Sequence, residues 1–131
     1  MFGASGLQGF IVYESRSFII GFRGTSNPFD IMKYANANKP VSYPNCKGCM
    51  VHSGFYSAWN LIRLEFYFAL QKMMTLYRSI ATILIFGHGL GGVFGTFAIP
   101  ELLDLFPIKP YIVYNTFGQP RFGNSEFSSY I

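Results

Sequence analysis

The chain has 131 residues, of which 50% are hydrophobic and 12% charged, with a formal net charge of +4. That length sustains one domain with a real core, and that composition excludes a disordered chain. The positive charge is dispersed, over residues that include Lys33, Lys39, Lys47, Arg63, Lys72, Arg78, Lys109 and Arg121, with no basic run, so no nucleic-acid partner is expected.

The elements follow from periodicity and turn chemistry. Residues Met1-Phe2-Gly3-Ala4-Ser5-Gly6 lack the basic and continuous apolar segments of a secretory leader. Phe10–Tyr13 and Ser17–Arg23 read as strands about a turn at Glu14-Ser15-Arg16. Residues 24–44, rich in Asn, Pro, Ser and Lys, are expected to be irregular, with a short helical turn near 29–34. Met50-Val51-His52 predicts a short strand. Ala58, Leu61, Ile62, Glu65, Phe66, Ala69, Leu70, Met73 and Tyr77 then recur at helical steps and predict a helix over 55–78.

The apolar run 80–86 predicts a strand, followed by a glycine-rich turn and a helix over 91–105 that Pro100 should kink or shorten. Pro107-Ile108-Lys109-Pro110 turns into the strand Tyr111–Phe117, and the remainder reads as a Gly/Pro/Asn loop with a short tail. Ser79 to Pro100 carries no formal charge, but five glycines and His88 suit a buried strand, turn and helix, not a membrane span. Together the elements predict an α/β domain over residues 1–131, with a mainly parallel sheet and helices on both faces.

Cys46 and Cys49 stand in a Pro/Gly loop, where a redox-type C-x-x-C would open a helix after a strand. With His52 they would still lack the fourth ligand of a structural zinc site, so no metal is expected. Two readings stay open: free thiols, or a small local disulfide that would favour a secretory, oxidising compartment.

Gly87-His88-Gly89-Leu90-Gly91-Gly92 lies between a strand and a helix, the setting of a nucleophile elbow, G-x-S-x-G. Position 89 should then be the serine, and it is glycine. Gly87-x-Gly89-x-x-Gly92 also satisfies a dinucleotide fingerprint, which makes a nucleotide-binding module the alternative. That alternative wants an acid at the end of the next strand. Tyr111–Phe117 contains none, and Asp104 falls inside the preceding helix pattern.

Three further motifs surround the elbow in order: Phe22-Arg23-Gly24-Thr25, Val51-His52-Ser53-Gly54-Phe55, and Phe117-Gly118-Gln119-Pro120-Arg121-Phe122-Gly123-Asn124. With the Gly-His-x-Leu-Gly-Gly turn, this set resembles the class 3 (fungal-type) lipases of the α/β-hydrolase superfamily, over about residues 10–130. The resemblance implies a partial α/β-hydrolase fold and a lipid or ester ligand, with no cofactor.

It places the nucleophile position on Gly89 and the oxyanion donors on Thr25 and the Leu90 backbone N–H. Gly87, His88 and Gly91 become elbow supports, and Ser26–Asn38 a lid-like segment. His88 and His52 are expected to be structural. A Ser-His-Asp mechanism also needs an orienting acid and a base after the nucleophile. After Gly89 this sequence has one Asp, Asp104, and no His. The expectation is therefore a catalytically inactive domain, incomplete at the C-terminal and N-terminal sides. Strand 111–117 would form its exposed edge, open to self-association.

Overall fold

The computed structural model describes residues 1–4, 6–27, 34–37 and 39–131. Strands β1 (Phe2–Ala4), β2 (Leu7–Glu14) and β3 (Ser17–Phe22) form an antiparallel meander. The β2–β3 turn uses Ser15 and Arg16, both at positive φ (48° and 61°). That backbone matches the right-handed twist of a two-residue hairpin.

A small antiparallel hairpin follows, β4 (Pro40–Ser42) with β5 (Met50–His52), and leads into helix α1 (Ser53–Leu76). Strand β6 (Thr82–His88), helix α2 (Leu90–Leu105), strand β7 (Tyr111–Phe117) and helix α3 (Ser125–Tyr130) complete the chain. The main sheet runs β1-β2-β3-β6-β7, with β6 parallel to both β3 and β7. The α/β class and partial hydrolase sheet expected from the sequence are present, as a mixed sheet: its first two pairings are antiparallel.

Phe18, Ile20 and Phe22 on β3 and Ile83 and Ile85 on β6 point to one side, where they are buried. There Phe22 meets Trp59 and Phe66 of α1 and Phe94 of α2, at ring-centroid distances of 6.0, 5.4 and 6.3 Å. Both long helices therefore cover the same face. Among the described residues this differs from the two-sided cover read from the sequence. Burying aromatic rings of this size is the main favourable term holding the helices to the sheet.

Helix α1 starts two residues before the predicted position because His52 caps it. The His52 Nδ1 accepts from the Phe55 N–H (3.4 Å), and the imidazole stacks on the Phe55 ring at 4.1 Å. Its buried stripe is Ala58, Trp59, Ile62, Phe66 and Leu70, whereas Leu61, assigned to that stripe from periodicity, is 46% exposed.

Helix α2 runs through Pro100 to Leu105, so the proline does not shorten it. Phe97, Ala98 and Leu102 on either side are fully buried, and this packing offsets the hydrogen bond that proline cannot donate. Glu101 ties the two helices together. Its carboxylate accepts from Trp59 Nε1 (3.3 Å), Arg63 Nε (2.9 Å) and the Tyr67 hydroxyl.

The expected C-terminal tail is helix α3, held by the buried Phe127 and by Asn124. Asn124 Oδ1 caps the helix by accepting from Phe127 N–H and also accepts from Met50 N–H on β5, both at 3.0 Å. Asn124 Nδ2 donates to the Gly48 carbonyl at 2.9 Å. The loop that carries Gly48 is closed by a Cys46–Cys49 disulfide, with the two Cα atoms 5.4 Å apart. No helix among the described residues is long and apolar enough to cross a membrane.

Candidate active-site elbow

Strand β6 turns into helix α2 through a single residue, Gly89, at φ 55° and ψ −122°. Side-chain-bearing residues reach such angles only at a cost, and glycine lacks the β-carbon that makes them costly. The Gly89 N–H donates to the Phe117 carbonyl on β7 (2.9 Å), and its own carbonyl accepts from Gly92 N–H (3.0 Å). The turn is thereby pinned between strand and helix.

The glycines around it have a different reason to be there. A β-carbon on Gly87 would overlap the Gly91 backbone, and one on Gly91 would overlap the Phe22 carbonyl. One on Gly24 would lie 2.7 Å from the His88 carbonyl oxygen. Bare backbone at these three positions lets β3, β6 and α2 converge. Among the described residues, a β-carbon on Gly89 would, by contrast, meet no heavy atom within 4 Å.

The convergence brings the end of β3 beside the elbow, since the Gly91 backbone packs on Phe22 and Arg23 and Gly24 packs on His88. Thr25, half-buried, follows directly. Leu90 is the buried first residue of α2, and a helix leaves its first N–H groups without intrahelical acceptors, at the positive end of its dipole. The His88 ring is exposed between Gly24 and Gly118. The His52 ring caps α1, and the Ser53 hydroxyl donates to the Ala37 carbonyl (2.6 Å).

Asp104 is exposed near the C-terminal end of α2. Of the lid-like segment 26–38, residues 28–33 and 38 lie outside the described residues, as does the helical turn predicted near 29–34 except for Tyr34.

A polar cluster beneath the elbow escaped the sequence reading. The Tyr114 hydroxyl donates to the Gly92 carbonyl (2.5 Å) and lies 2.6 Å from Thr96 Oγ1, which accepts from Gln119 Nε2 at 2.9 Å. Burial pushes the Tyr114 phenol above its ordinary pKa, with hydrogen bonds from Thr96, Thr116 and Gln119 acting against that shift. The phenol stays protonated, so it remains a donor to the first turn of α2. Gln119, in the Gly-Gln-Pro motif, was the available signal. Tyr114 and Thr96 looked like ordinary strand and helix residues.

The arrangement holds a turn, a helix N-terminus and the end of a neighbouring strand around a position with no side chain. It can present hydrogen-bond donors there but offers no nucleophile at residue 89.

Comparison with known proteins agrees with this geometry. The profile of the family Lipase (class 3) matches residues 19–131. Lipase A of Sodiomyces alcalophilus is 29% identical over 133 residues, covering 88% of this chain and 32% of that protein. A lipase of Rhizopus niveus is 30% identical over 128 residues, covering 90% of this chain and 30% of its own length. The structure of Rhizomucor miehei triacylglyceride lipase superposes with a TM-score of 0.78 at 25% identity, over 95% of this chain and 48% of that one. The chain thus spans about a third of the curated relatives and about half of the solved structure. Its profile match, its ordered motifs and its strand–elbow–helix turn make it a member of the class 3 lipase family.

Proposed function

We propose that this chain is a lipase-fold module that receives an ester or acyl group at the elbow and, as it stands, does not hydrolyse it. Ester and lipid hydrolysis is the role its family and relatives point to. The observation that carries the reading is Gly89 itself, at the tip of an intact elbow, where among the described residues a β-carbon would meet no heavy atom within 4 Å. Residue 89 is the nucleophile position, with Thr25 and the Leu90 N–H as oxyanion donors. Gly87, His88 and Gly91 are the supports of the turn.

Two preorganised donors facing a developing alkoxide stabilise a transition state by a few kcal/mol. Without an attacking hydroxyl that transition state is not reached. Residues 90–131 hold no histidine to take the proton of a serine restored at position 89.

The test has two arms. With 4-nitrophenyl butyrate, neither the native chain nor Gly89→Ser should release nitrophenol above the buffer rate. Serine-dependent turnover would sink the inactivity claim. Addition of methyl decanoate should shift the backbone amide resonances of Thr25 and Leu90 in a labelled sample. Unmoved resonances would remove the ester-recognition claim. We further infer that the outer edge of β7 pairs with a second strand, which makes self-association part of the behaviour of this chain.

A further inference from the structure

Helix α2 begins without the devices that usually hold a first turn. Its capping residue, Gly89, has no side chain, its first turn carries no acid, and Gly91 and Gly92 are its second and third residues. Glycine is the poorest helix former after proline, so such a turn is disposed to fray. Yet this is the turn that starts with the Leu90 N–H.

What holds it comes from β7 and the loop that follows. Gln119 Nε2 donates to Thr96 Oγ1 (2.9 Å), Thr96 Oγ1 lies 2.6 Å from the Tyr114 hydroxyl, and that hydroxyl donates to the Gly92 carbonyl (2.5 Å). A hydroxyl has one proton to give. Gln119 Oε1 is the longer alternative for the Tyr114 proton, at 3.1 Å, so the Gly92 carbonyl takes it. The Thr96 proton then points to the Tyr114 oxygen or to the same carbonyl, 3.2 Å away. Either way the chain of donors ends on Gly92.

The approach is close because residue 92 is glycine: a β-carbon there would lie 3.2 Å from the β-carbons of both Thr116 and Gln119. The Gly89 N–H bond to the Phe117 carbonyl (2.9 Å) is a second tie between β7 and the elbow. A carbonyl held at its oxygen fixes the rotation of its turn about the helix axis, and with it the direction of the N–H groups at the start of that turn. Tyr114 thus does from a neighbouring strand what a capping side chain does from within the chain.

We propose that Tyr114 is a positioning residue: through the Gly92 carbonyl it aims the Leu90 N–H at an ester oxygen in the elbow, and Thr96 and Gln119 orient its hydroxyl. The proposal rests on the elbow reading above. Tyr114 acts through the helix and not by touching the ester.

The test follows the backbone amides of the labelled full chain during titration with methyl decanoate. Tyr114→Phe keeps the ring that packs beside Gly95 and removes the hydroxyl. Affinity should fall about fivefold, the size of one neutral hydrogen bond. At saturation the ester-induced shift of Leu90 should shrink, whereas that of Thr25, carried on the chain leaving β3, should keep its native size. In the free variant the amides of Val93 and Phe94, the first paired within α2, should exchange about fivefold faster, with Leu102 unchanged. Thr96→Val should act in the same direction. Thr96→Ser, which keeps the hydroxyl, should retain the native Leu90 shift.

A lowered urea midpoint in Tyr114→Phe with both saturated shifts native would make Tyr114 merely structural and overturn the proposal. Equal losses at Leu90 and Thr25 would overturn it too, as would Thr96→Ser behaving like Thr96→Val. All three results leave the elbow reading standing, because the native chain still shows both shifts. Absence of both shifts in the native chain would instead retire the elbow reading and this proposal together.

Discussion

The backbone of Gly91 rests on the carbonyl of Phe22, so that a single added β-carbon would overlap that oxygen. This contact joins the first turn of α2 to the last residue of β3, and both flank the elbow. Gly91→Ala must push the helix off the strand. Overpacking of this kind costs about 1–3 kcal/mol. The urea midpoint should fall accordingly, and an unchanged midpoint would mean the helix N-terminus can shift freely.

Gly89→Ala should behave differently from its neighbour two residues on. Among the described residues its β-carbon meets no heavy atom within 4 Å, so the cost is that of the backbone at φ 55° and ψ −122°. For an L-residue a sparsely populated backbone region of this kind costs about 1–3 kcal/mol. Gly89→Ser should match Gly89→Ala within error, since no partner in the turn is positioned for the hydroxyl. A serine variant more stable than the alanine variant would reveal a hydrogen-bond partner and count against that equivalence.

These two glycines also mark how much of the site could be read from the sequence. The elbow was legible because its chemistry is local: a strand, small residues at fixed spacing and a helix. The motif around Phe22-Arg23-Gly24-Thr25 was legible as a pattern, but its reason for glycine is contact with His88, distant in sequence. The single-sided helical cover was not legible. Periodicity says which side of a helix is apolar, and it does not say which face of a sheet the helix covers. Asn124 failed for a related reason. Its cap on α3 is local, but its bonds to Gly48 and Met50 span more than seventy residues.

Glu101 gives a pH dependence. Burial holds its carboxyl above the ordinary range, outweighing the favourable charge and hydrogen bond of Arg63 and the hydrogen bond of Trp59. Above the ordinary carboxylate value, about 4.3, the unfolded chain has released this proton while the folded chain still holds it. The contribution from protonated Glu101 is therefore complete below that value and lost as pH rises through the raised folded value. Stability relative to Glu101→Gln should decline over that window, followed by urea midpoints across pH. A difference that grows with pH would show that the three donors, not burial, govern this group.

Asn124→Ala removes a helix cap and two contacts to the disulfide-closed hairpin at once. Loss of an N-cap alone costs about 0.5–2 kcal/mol, and the buried side of this one puts it at the upper end. Amide exchange should quicken first at Met50 and Phe127, whose N–H groups lose their acceptor. Asn124→Asp keeps the acceptor for both but loses the donor to Gly48, so protection at Met50 and Phe127 should largely survive. Equal loss in both variants would show that the Gly48 contact dominates.

Strand β7 lies at the edge of the main sheet and carries Tyr111-Ile112-Val113-Tyr114-Asn115-Thr116-Phe117 without a charge, a proline or a glycine. Charges and prolines are among the devices that keep edges from pairing, and this strand has neither. Its outward N–H and C=O groups can bond a second extended strand, and two copies of β7 meeting antiparallel would satisfy both. Sedimentation should therefore show mass rising with concentration. Asn115→Lys places like charges close together across such a pair, at a cost of up to about 1 kcal/mol, or roughly fivefold in association. Asn115 is exposed, so the fold should be retained while the association weakens. A concentration-independent monomer in the native chain would remove the edge-pairing proposal.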